Sequence, residues 1–145
     1  MTEVDSQTIA ARAREIFSNN QSLSLATTGG PYSPWVLGVY FASEGLSLYS
    51  FVEQSGKTIA NLRANPRVSF MISQNDAQKD FAQGIGRVTF LPDDQADKVR
   101  AMIVAKMPWY QTYTPVAPVR IDLDELFVSS FASGWFPAKV LKIAN

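Results

Sequence analysis

The fold is decided by residues 35–70, which read WVLGVYFASEGLSLYSFVEQSGKTIANLRANPRVSF. Apolar runs separated by turn residues predict three strands in this stretch, over 35–41, 46–52 and 68–72. The first run is apolar at nearly every position, which is typical of a strand covered on both faces. A short helix is predicted to open at Ser55, and it ends at Asn65 because a residue before proline is pushed out of helical geometry.

The flanking sequence predicts four more strands and two more helices. Ser6 is the predicted N-cap of the first helix, and an Asp cap in Pro92-Asp93-Asp94 is predicted to start the third. The further strands are predicted over 22–27, 81–91, 119–131 and 138–143. Gly84 and Gly86 lie two apart in one of them, which indicates a bend or a close backbone contact.

About seven strands and three helices, with several tight turns, predict a mainly β fold with flanking helices (α+β). The strands are expected to form an antiparallel sheet closed into a small barrel. No internal repeat, low-complexity tract or linker interrupts the sequence, so we expect a single domain over residues 1–145.

The composition excludes several kinds of functional site. The 145 residues include no His and no Cys, and 13 basic side chains balance 13 acidic ones. A Ser-His-Asp triad, a thiolate nucleophile, a disulfide, and imidazole or thiolate metal sites are therefore excluded, and the carboxylates show no ligand-like spacing. Zero net charge gives no general attraction to nucleic acid or to an anionic membrane. Without a signal peptide or an apolar run of ~20 residues, we expect a cytoplasmic protein.

The segment Ser55-Gly56-Lys57-Thr58 is the most informative for function. A helix N-terminus presents unpaired N–H groups and partial positive charge, and here two hydroxyls and a lysine accompany it. Phosphate binding is one interpretation, and an ordinary capped helix with solvated charges is the other. The segment is not a P-loop, because that motif needs a glycine where Phe51 stands.

Aromatic residues are abundant, 17 of 145. Most are expected in the core, including Phe41, Phe70, Phe90 and Phe127. Others lie among prolines or in a turn and are expected to be exposed, where they would form a subunit interface or stack on a planar ligand: Trp109, Tyr110, Tyr113 and Trp135.

The strand pair over 35–52 followed by SGKTIANLRANPRVSF, residues 55–70, resembles the FMN-binding split-barrel superfamily, whose best-known member is pyridoxamine 5′-phosphate oxidase. Asn-Pro-Arg-Val leading into a strand and Gly86-Arg87 in the next strand fit the same family. The resemblance covers roughly residues 6–143. It implies an antiparallel split β-barrel and a homodimer with two FMN molecules at the subunit interface.

The resemblance also implies a set of cofactor-binding residues. The family's phosphate-binding positions correspond to Ser55, Lys57 and Thr58. Its flavin-ring contacts correspond to the backbone of Trp35, Val36 and Leu37 and to the residues Tyr49, Ser50 and Phe51. Gln83 is the candidate for a residue that reaches across the dimer.

The sequence departs from the oxidase at positions that matter for its substrate. Ser33-Pro34 replaces an arginine, Asp80-Phe81 replaces an Arg-Gln pair, and a substrate segment with His cannot exist in this chain. Lys57 also lies nine residues before Pro66 rather than eight. We therefore expect little or no oxidation of pyridoxamine 5′-phosphate, and a short, uncharacterised bacterial branch of the superfamily is the closer resemblance.

Three functions remain open at this point. The first is an FMN-dependent oxidoreductase that takes hydride from a nicotinamide or acts on another small molecule, with the flavin supplying the chemistry. The second is a non-catalytic protein that binds or senses a flavin, a deazaflavin or haem. The third is a dimeric structural protein with a vacant cleft.

Overall fold

The computed structural model describes residues 3–143. The helices and strands follow in the order α1 Ser6–Asn19, β1 Ser22–Thr27, β2 Trp35–Tyr40, β3 Ala42–Glu44, β4 Ser47–Glu53, α2 Lys57–Ala64, β5 Arg67–Ile72, β6 Phe81–Phe90, α3 Ala96–Lys106, β7 Val116–Ser130 and β8 Trp135–Lys142. The short strand β3 adds one to the predicted strand count, because residues 42–44 pair with β4 before the chain turns.

All strand pairs are antiparallel, in the order β2-β1-β5-β6-β7-β4-β3, with β8 attached to β7. The 15-residue strand β7 pairs with β4 through its first half and with β8 through its second half. β2 lies beside β4 but is hydrogen-bonded only to β1 in this order. The curled sheet therefore has a gap beside β2, as in a split barrel, and the predicted fold class is confirmed.

Helix α1 packs on the core of the sheet through an apolar stripe. Ile9, Ala13, Ile16 and Phe17 recur at helical spacing and are buried. The predicted N-cap is wrong by one residue: the Asp5 carboxylate accepts a hydrogen bond of 2.7 Å from the Thr8 amide. This hydrogen bond lowers the pKa of Asp5.

The glycine pair in β6 marks a close contact and a bend, as predicted. A Cβ atom on Gly84 would lie 2.3 Å from the ring of Phe70, and one on Gly86 would lie 2.3 Å from the Asp122 carbonyl oxygen. The pairing of β6 with β7 shifts register between Ile85 and Gly86. The bare backbone at these positions lets the core ring and the neighbouring strand approach β6.

Helix α3 packs on the other side of the β3–β4 ribbon and builds a smaller core. Val99, Ile103 and Met107 join Ala42 and Phe51 there. The predicted Asp cap of this helix is wrong, because Asp93–Gln95 form a 3₁₀ turn and α3 begins at Ala96 without a side-chain cap.

Several burial predictions are also wrong. β2 is not covered on both faces: Val36 is 62% exposed on the outward face of the sheet. Phe90 is 38% exposed at the end of β6, and Phe127 is only half-buried because it lines a hollow on the outside of the sheet. Trp135 is buried because the Arg12 guanidinium of α1 lies 4.7 Å from its ring centroid and covers it.

Among residues 3–143, no helix is long and apolar enough to cross a membrane.

Candidate functional site

Helix α2 starts without a side-chain cap. Gly56 is its N-cap and Lys57 its first residue, and no side chain accepts from the amides of the first turn. The side-chain cap that the ordinary-helix interpretation supposes is therefore absent at the start of α2. The uncapped amides and the helix dipole favour an anion at this end.

A cleft of about 310 Å³ lies at this helix start, which we call the helix cleft. Its lining comes from β2, the end of β4 and the first turn of α2: Trp35, Leu37, Glu53, Ser55, Gly56, Lys57 and Thr58. The volume falls at the lower end of the ~300–1,000 Å³ typical of small-molecule sites. Five of the ten cofactor residues implied by the resemblance lie here together.

Two buried polar atoms at the helix cleft have no partner. Among the described residues, the only buried side-chain nitrogen or oxygen atoms without a hydrogen bond are Trp35 Nε1 and Thr58 Oγ1. Both side chains line the helix cleft, and Thr58 is 3% exposed. An unsatisfied buried polar group costs about 1–3 kcal/mol, so such atoms are expected where a ligand supplies the missing partner.

Lys57 is the positively charged residue that lines the helix cleft. Its Nζ lies 5.5 Å from the centroid of the Tyr32 ring and 5.4 Å from that of Trp35, in cation–π contact with both. The two other charged residues between Glu53 and Asp76 are also cations, but they lie elsewhere: Arg63 is in the last turn of α2, and Arg67 begins β5.

Buried Asn61 holds helix α2 in place, and sequence reasoning missed it. Its Nδ2 donates to Thr27 Oγ1 of β1 at 3.0 Å, and its Oδ1 accepts from the Tyr32 amide at 3.0 Å. A Cβ on Gly30 would lie 2.3 Å from the Asn61 side chain, so the turn needs a glycine there. An asparagine on the apolar edge of a helix was the available signal, because a buried amide is seldom unbonded.

An aromatic groove of about 300 Å³ continues from the helix cleft along β2, and both are lined by Leu37 and Glu53. β2 residues 37–40, the end of β4 and the loop 110–114 form its walls. Tyr40 packs edge-on against Tyr110, whose ring stacks on Phe51 at 6.4 Å between centroids. Burial raises the pKa of Tyr110, while the Arg100 charge opposes that shift.

Of the three implied flavin-ring residues of β4, only one lines a cavity. Phe51 lines the aromatic groove. Ser50 is buried and its hydroxyl donates to the Tyr40 carbonyl at 2.6 Å, while Tyr49 packs against the α3 core. Neither Tyr49 nor Ser50 lines the cleft or the groove.

Val36 and Gln83 lie on a third surface, the outward face of β2, β1, β5 and β6, which we call the outer sheet face. A hollow of about 530 Å³ on this face is lined by both residues, and Met71, Ile85 and Phe127 are among its apolar lining residues. Gln83 therefore does not line the helix cleft of its own chain.

The fold agrees with what comparison with known proteins finds. The family model described as pyridoxamine 5′-phosphate oxidase matches residues 9–126, most of the chain. The chain belongs to the pyridoxamine 5′-phosphate oxidase family. A comparison with curated protein sequences finds no match.

Several solved structures share the fold at low sequence identity. A heme binding protein from Mycobacterium smegmatis is 18% identical with a TM-score of 0.74, over 98% of this chain and 60% of that one. General Stress Protein 26 from Bacillus anthracis is 15% identical with a TM-score of 0.71, over 93% of this chain and 98% of that one. A conserved hypothetical protein from Mycobacterium tuberculosis is 14% identical with a TM-score of 0.72, over 99% of this chain and 94% of that one.

Proposed function

We propose that the helix cleft binds the phosphate of FMN. The observation that carries this proposal is the pair of unpartnered buried atoms, Trp35 Nε1 and Thr58 Oγ1, on side chains that line a single cleft. A phosphate oxygen accepts hydrogen bonds from both an indole N–H and a hydroxyl, and it would satisfy them together with the uncapped amides of α2.

Charge supports an anionic ligand. Lys57 lines the cleft, makes no salt bridge within the described residues, and keeps its three N–H donors free for phosphate oxygens. Ser55 contributes a further exposed hydroxyl beside it. A helix N-terminus with a lysine and hydroxyls is a recurrent arrangement for phosphate.

The flavin ring would lie in the aromatic groove. The groove joins the helix cleft at Leu37 and runs along β2, so a ligand with its phosphate at α2 can extend past the strand's backbone. Tyr40 and Tyr110 offer aromatic surface there, and the buried ring of Phe51 packs behind Tyr110.

The proposed activity is that of an FMN-dependent oxidoreductase acting on a small molecule or on a nicotinamide. The bound flavin would supply the redox chemistry, and the protein would bind it, orient it and exclude water from one face. Pyridoxamine 5′-phosphate is not the proposed substrate, because Ser33-Pro34 and Asp80-Phe81 replace residues that the oxidase has at these places.

A second candidate is a carrier or sensor without turnover. The structural similarity to a heme binding protein favours testing haem beside flavin and deazaflavin. With neither His nor Cys in the chain, haem would need a Tyr or another uncommon ligand.

We also propose a homodimer through the outer sheet face. Val36 is 62% exposed there, beside a large hollow with an apolar lining, and exposed apolar surface of this kind marks interfaces. In a twofold arrangement the partner's Gln83 could approach a flavin that its own chain does not reach.

The experiment is the visible spectrum and the mass of the ligand that co-purifies, followed by anaerobic addition of NADH or NADPH. FMN whose visible absorbance is bleached by the nicotinamide is the expected result for an oxidoreductase. FMN without bleaching by these or other small reductants favours the carrier, and a haem spectrum would overturn the flavin proposal.

A further inference from the structure

We propose that Glu53 is a specificity-determining residue that accepts hydrogen bonds from the hydroxyl groups of a polyhydroxylated chain in the ligand. This inference rests on the proposed function, because the ribityl chain of FMN is the hydroxylated segment between its phosphate and its ring. Nothing in the phosphate-binding role of the helix cleft calls for a carboxylate at this position.

Glu53 lies where the helix cleft and the aromatic groove meet. It is the last residue of β4, and its carbonyl oxygen accepts from the Gly56 amide at 3.1 Å, which ties it to the start of α2. Leu37 and Glu53 are the two residues that line both cavities, and Glu53 is the polar one. A ligand that spans from the helix start to the groove must pass these two side chains.

The Glu53 carboxylate has no partner within residues 3–143. None of the three ion pairs includes it, and no side-chain hydrogen bond reaches it. Lys57, four residues further along the chain, instead places its Nζ against the rings of Tyr32 and Trp35. The carboxylate is exposed and free to accept.

An ionised carboxylate is only an acceptor, so the ligand group beside it must donate. A phosphate beside Glu53 would be repelled, whereas hydroxyl groups would form charge-assisted hydrogen bonds with it. The helix start thus offers hydrogen-bond donors for a phosphate, and Glu53, where the helix cleft meets the aromatic groove, offers an acceptor for hydroxyl groups. This arrangement selects a hydroxylated phosphate ester over a bare anion.

The test compares four ligands that carry different parts of FMN. They are FMN itself, riboflavin (no phosphate), lumiflavin (the ring without the hydroxylated chain) and inorganic phosphate. Flavin binding is followed by fluorescence quenching, and phosphate by competition with FMN. The variants are Glu53→Ala and Glu53→Gln, with Glu44→Ala, an exposed glutamate at the end of β3, as the control.

Glu53→Ala is expected to weaken riboflavin about tenfold, since charge-assisted hydrogen bonds are lost, and to leave lumiflavin unchanged. Glu53→Gln keeps an acceptor oxygen and should lose about threefold for riboflavin. Both variants should bind inorganic phosphate about threefold more tightly, because the repulsion is removed. Glu44→Ala should match the wild type with all four ligands.

If the wild type binds FMN but Glu53→Ala keeps the wild-type ratio of riboflavin to lumiflavin affinity, the assignment of Glu53 is wrong and the proposed FMN site stands. If the wild type binds none of the three flavins, the proposed function itself fails, and this inference fails with it.

Discussion

Lys57 Nζ lies 5.4 Å from the centroid of the Trp35 indole ring, and this contact joins the first residue of α2 to the first residue of β2. Both residues line the helix cleft, so the contact is made across it. Cation–π attraction at an exposed site is worth ~0.5–1 kcal/mol, enough to bias the lysine toward the cleft. The amine is thereby held near the place proposed for the phosphate while its donors stay free.

Thr58→Val should weaken FMN binding without lowering the stability of the fold. The variant removes a buried hydroxyl that has no partner, so the free energy of unfolding should stay level or rise by up to ~1 kcal/mol. FMN affinity should fall about tenfold, because the proposed phosphate loses a donor. Urea unfolding and FMN fluorescence titration measure the two effects.

Thr89→Val is the matched control, because the Thr89 hydroxyl donates to Asp122 at 2.7 Å. There the free energy of unfolding should fall by ~1 kcal/mol and FMN affinity should not change. A Thr58→Val protein that is destabilised as much as Thr89→Val, with FMN affinity intact, would show that the Thr58 hydroxyl serves the fold and not the ligand.

Gly84→Ala should destabilise the protein strongly. Its Cβ would lie 2.3 Å from the ring of Phe70, which is buried in the core, so the ring or the strand must move. Overpacking of this kind typically costs about 1–3 kcal/mol. Gly38→Ala in β2 is the control, since nothing lies within 4 Å of its Cβ position. Equal midpoints of thermal unfolding for the two variants would mean that β6 and Phe70 are not packed as described.

Stability should increase with pH because of Lys106. Its Nζ donates to the carbonyl oxygens of Phe17 and Phe41, and burial lowers the pKa of Lys106 from 10.5 to about 8. Above pH 8 the folded protein releases this proton while the unfolded chain keeps it until about pH 10.5. The unfolded state then binds more protons, so the free energy of unfolding rises with pH in that window.

Urea unfolding at pH 7.5, 8.5 and 9.5 (roughly the start of the window that the lowered pKa defines) tests this dependence. The wild type should gain stability across the series, and Lys106→Met should lose the gain whatever its absolute stability. Lys98→Met, at an exposed position of α3, should keep it. A wild-type slope identical to that of Lys106→Met would show that Lys106 does not titrate in this range.

The outer sheet face should carry the dimer contact. Ser69→Arg places a charge in its hollow and should convert a dimer of two 16.0 kDa chains into monomers, because an unpaired buried charge is costly at an interface. Ser18→Arg on α1 is the exposed control and should stay dimeric. Sedimentation equilibrium gives the masses; a wild type that is monomeric at micromolar concentration contradicts the proposal.

The fold was largely predictable because its determinants are local. The strands, the turns and the end of α2 before Pro66 are each determined by a few neighbouring residues. The glycine pair in β6 predicted a close contact there, which the structure shows to be with Phe70. Burial was harder to predict, since it depends on partners distant in sequence. Trp135 is buried because Arg12, more than a hundred residues earlier, covers it and bonds to Asp80 and Ser130.

The helix start was predicted as a candidate site together with Trp35 and Leu37, but two other residues around it were not. Glu53 follows the predicted strand over 46–52 and belongs to no motif, and the role of Asn61 depends on contacts with β1 and the turn at Tyr32. The alternation of β4 also separates Ser50 from Phe51, which a list of family positions does not reveal. Such placements follow from the curl of the sheet, which no short stretch of sequence encodes.

Binding of the FMN phosphate by Lys57 and the α2 N-terminus is tested by titrating FMN and riboflavin into wild type, Lys57→Ala and Lys98→Ala. A charge-assisted bond to phosphate is worth ~1.5–3 kcal/mol, so Lys57→Ala should weaken FMN by roughly one to two powers of ten. Riboflavin, which has no phosphate, should bind this variant as it binds the wild type. Lys98→Ala should bind both ligands like the wild type. Equal FMN affinities for wild type and Lys57→Ala at matched ionic strength would show that Lys57 does not bind the phosphate.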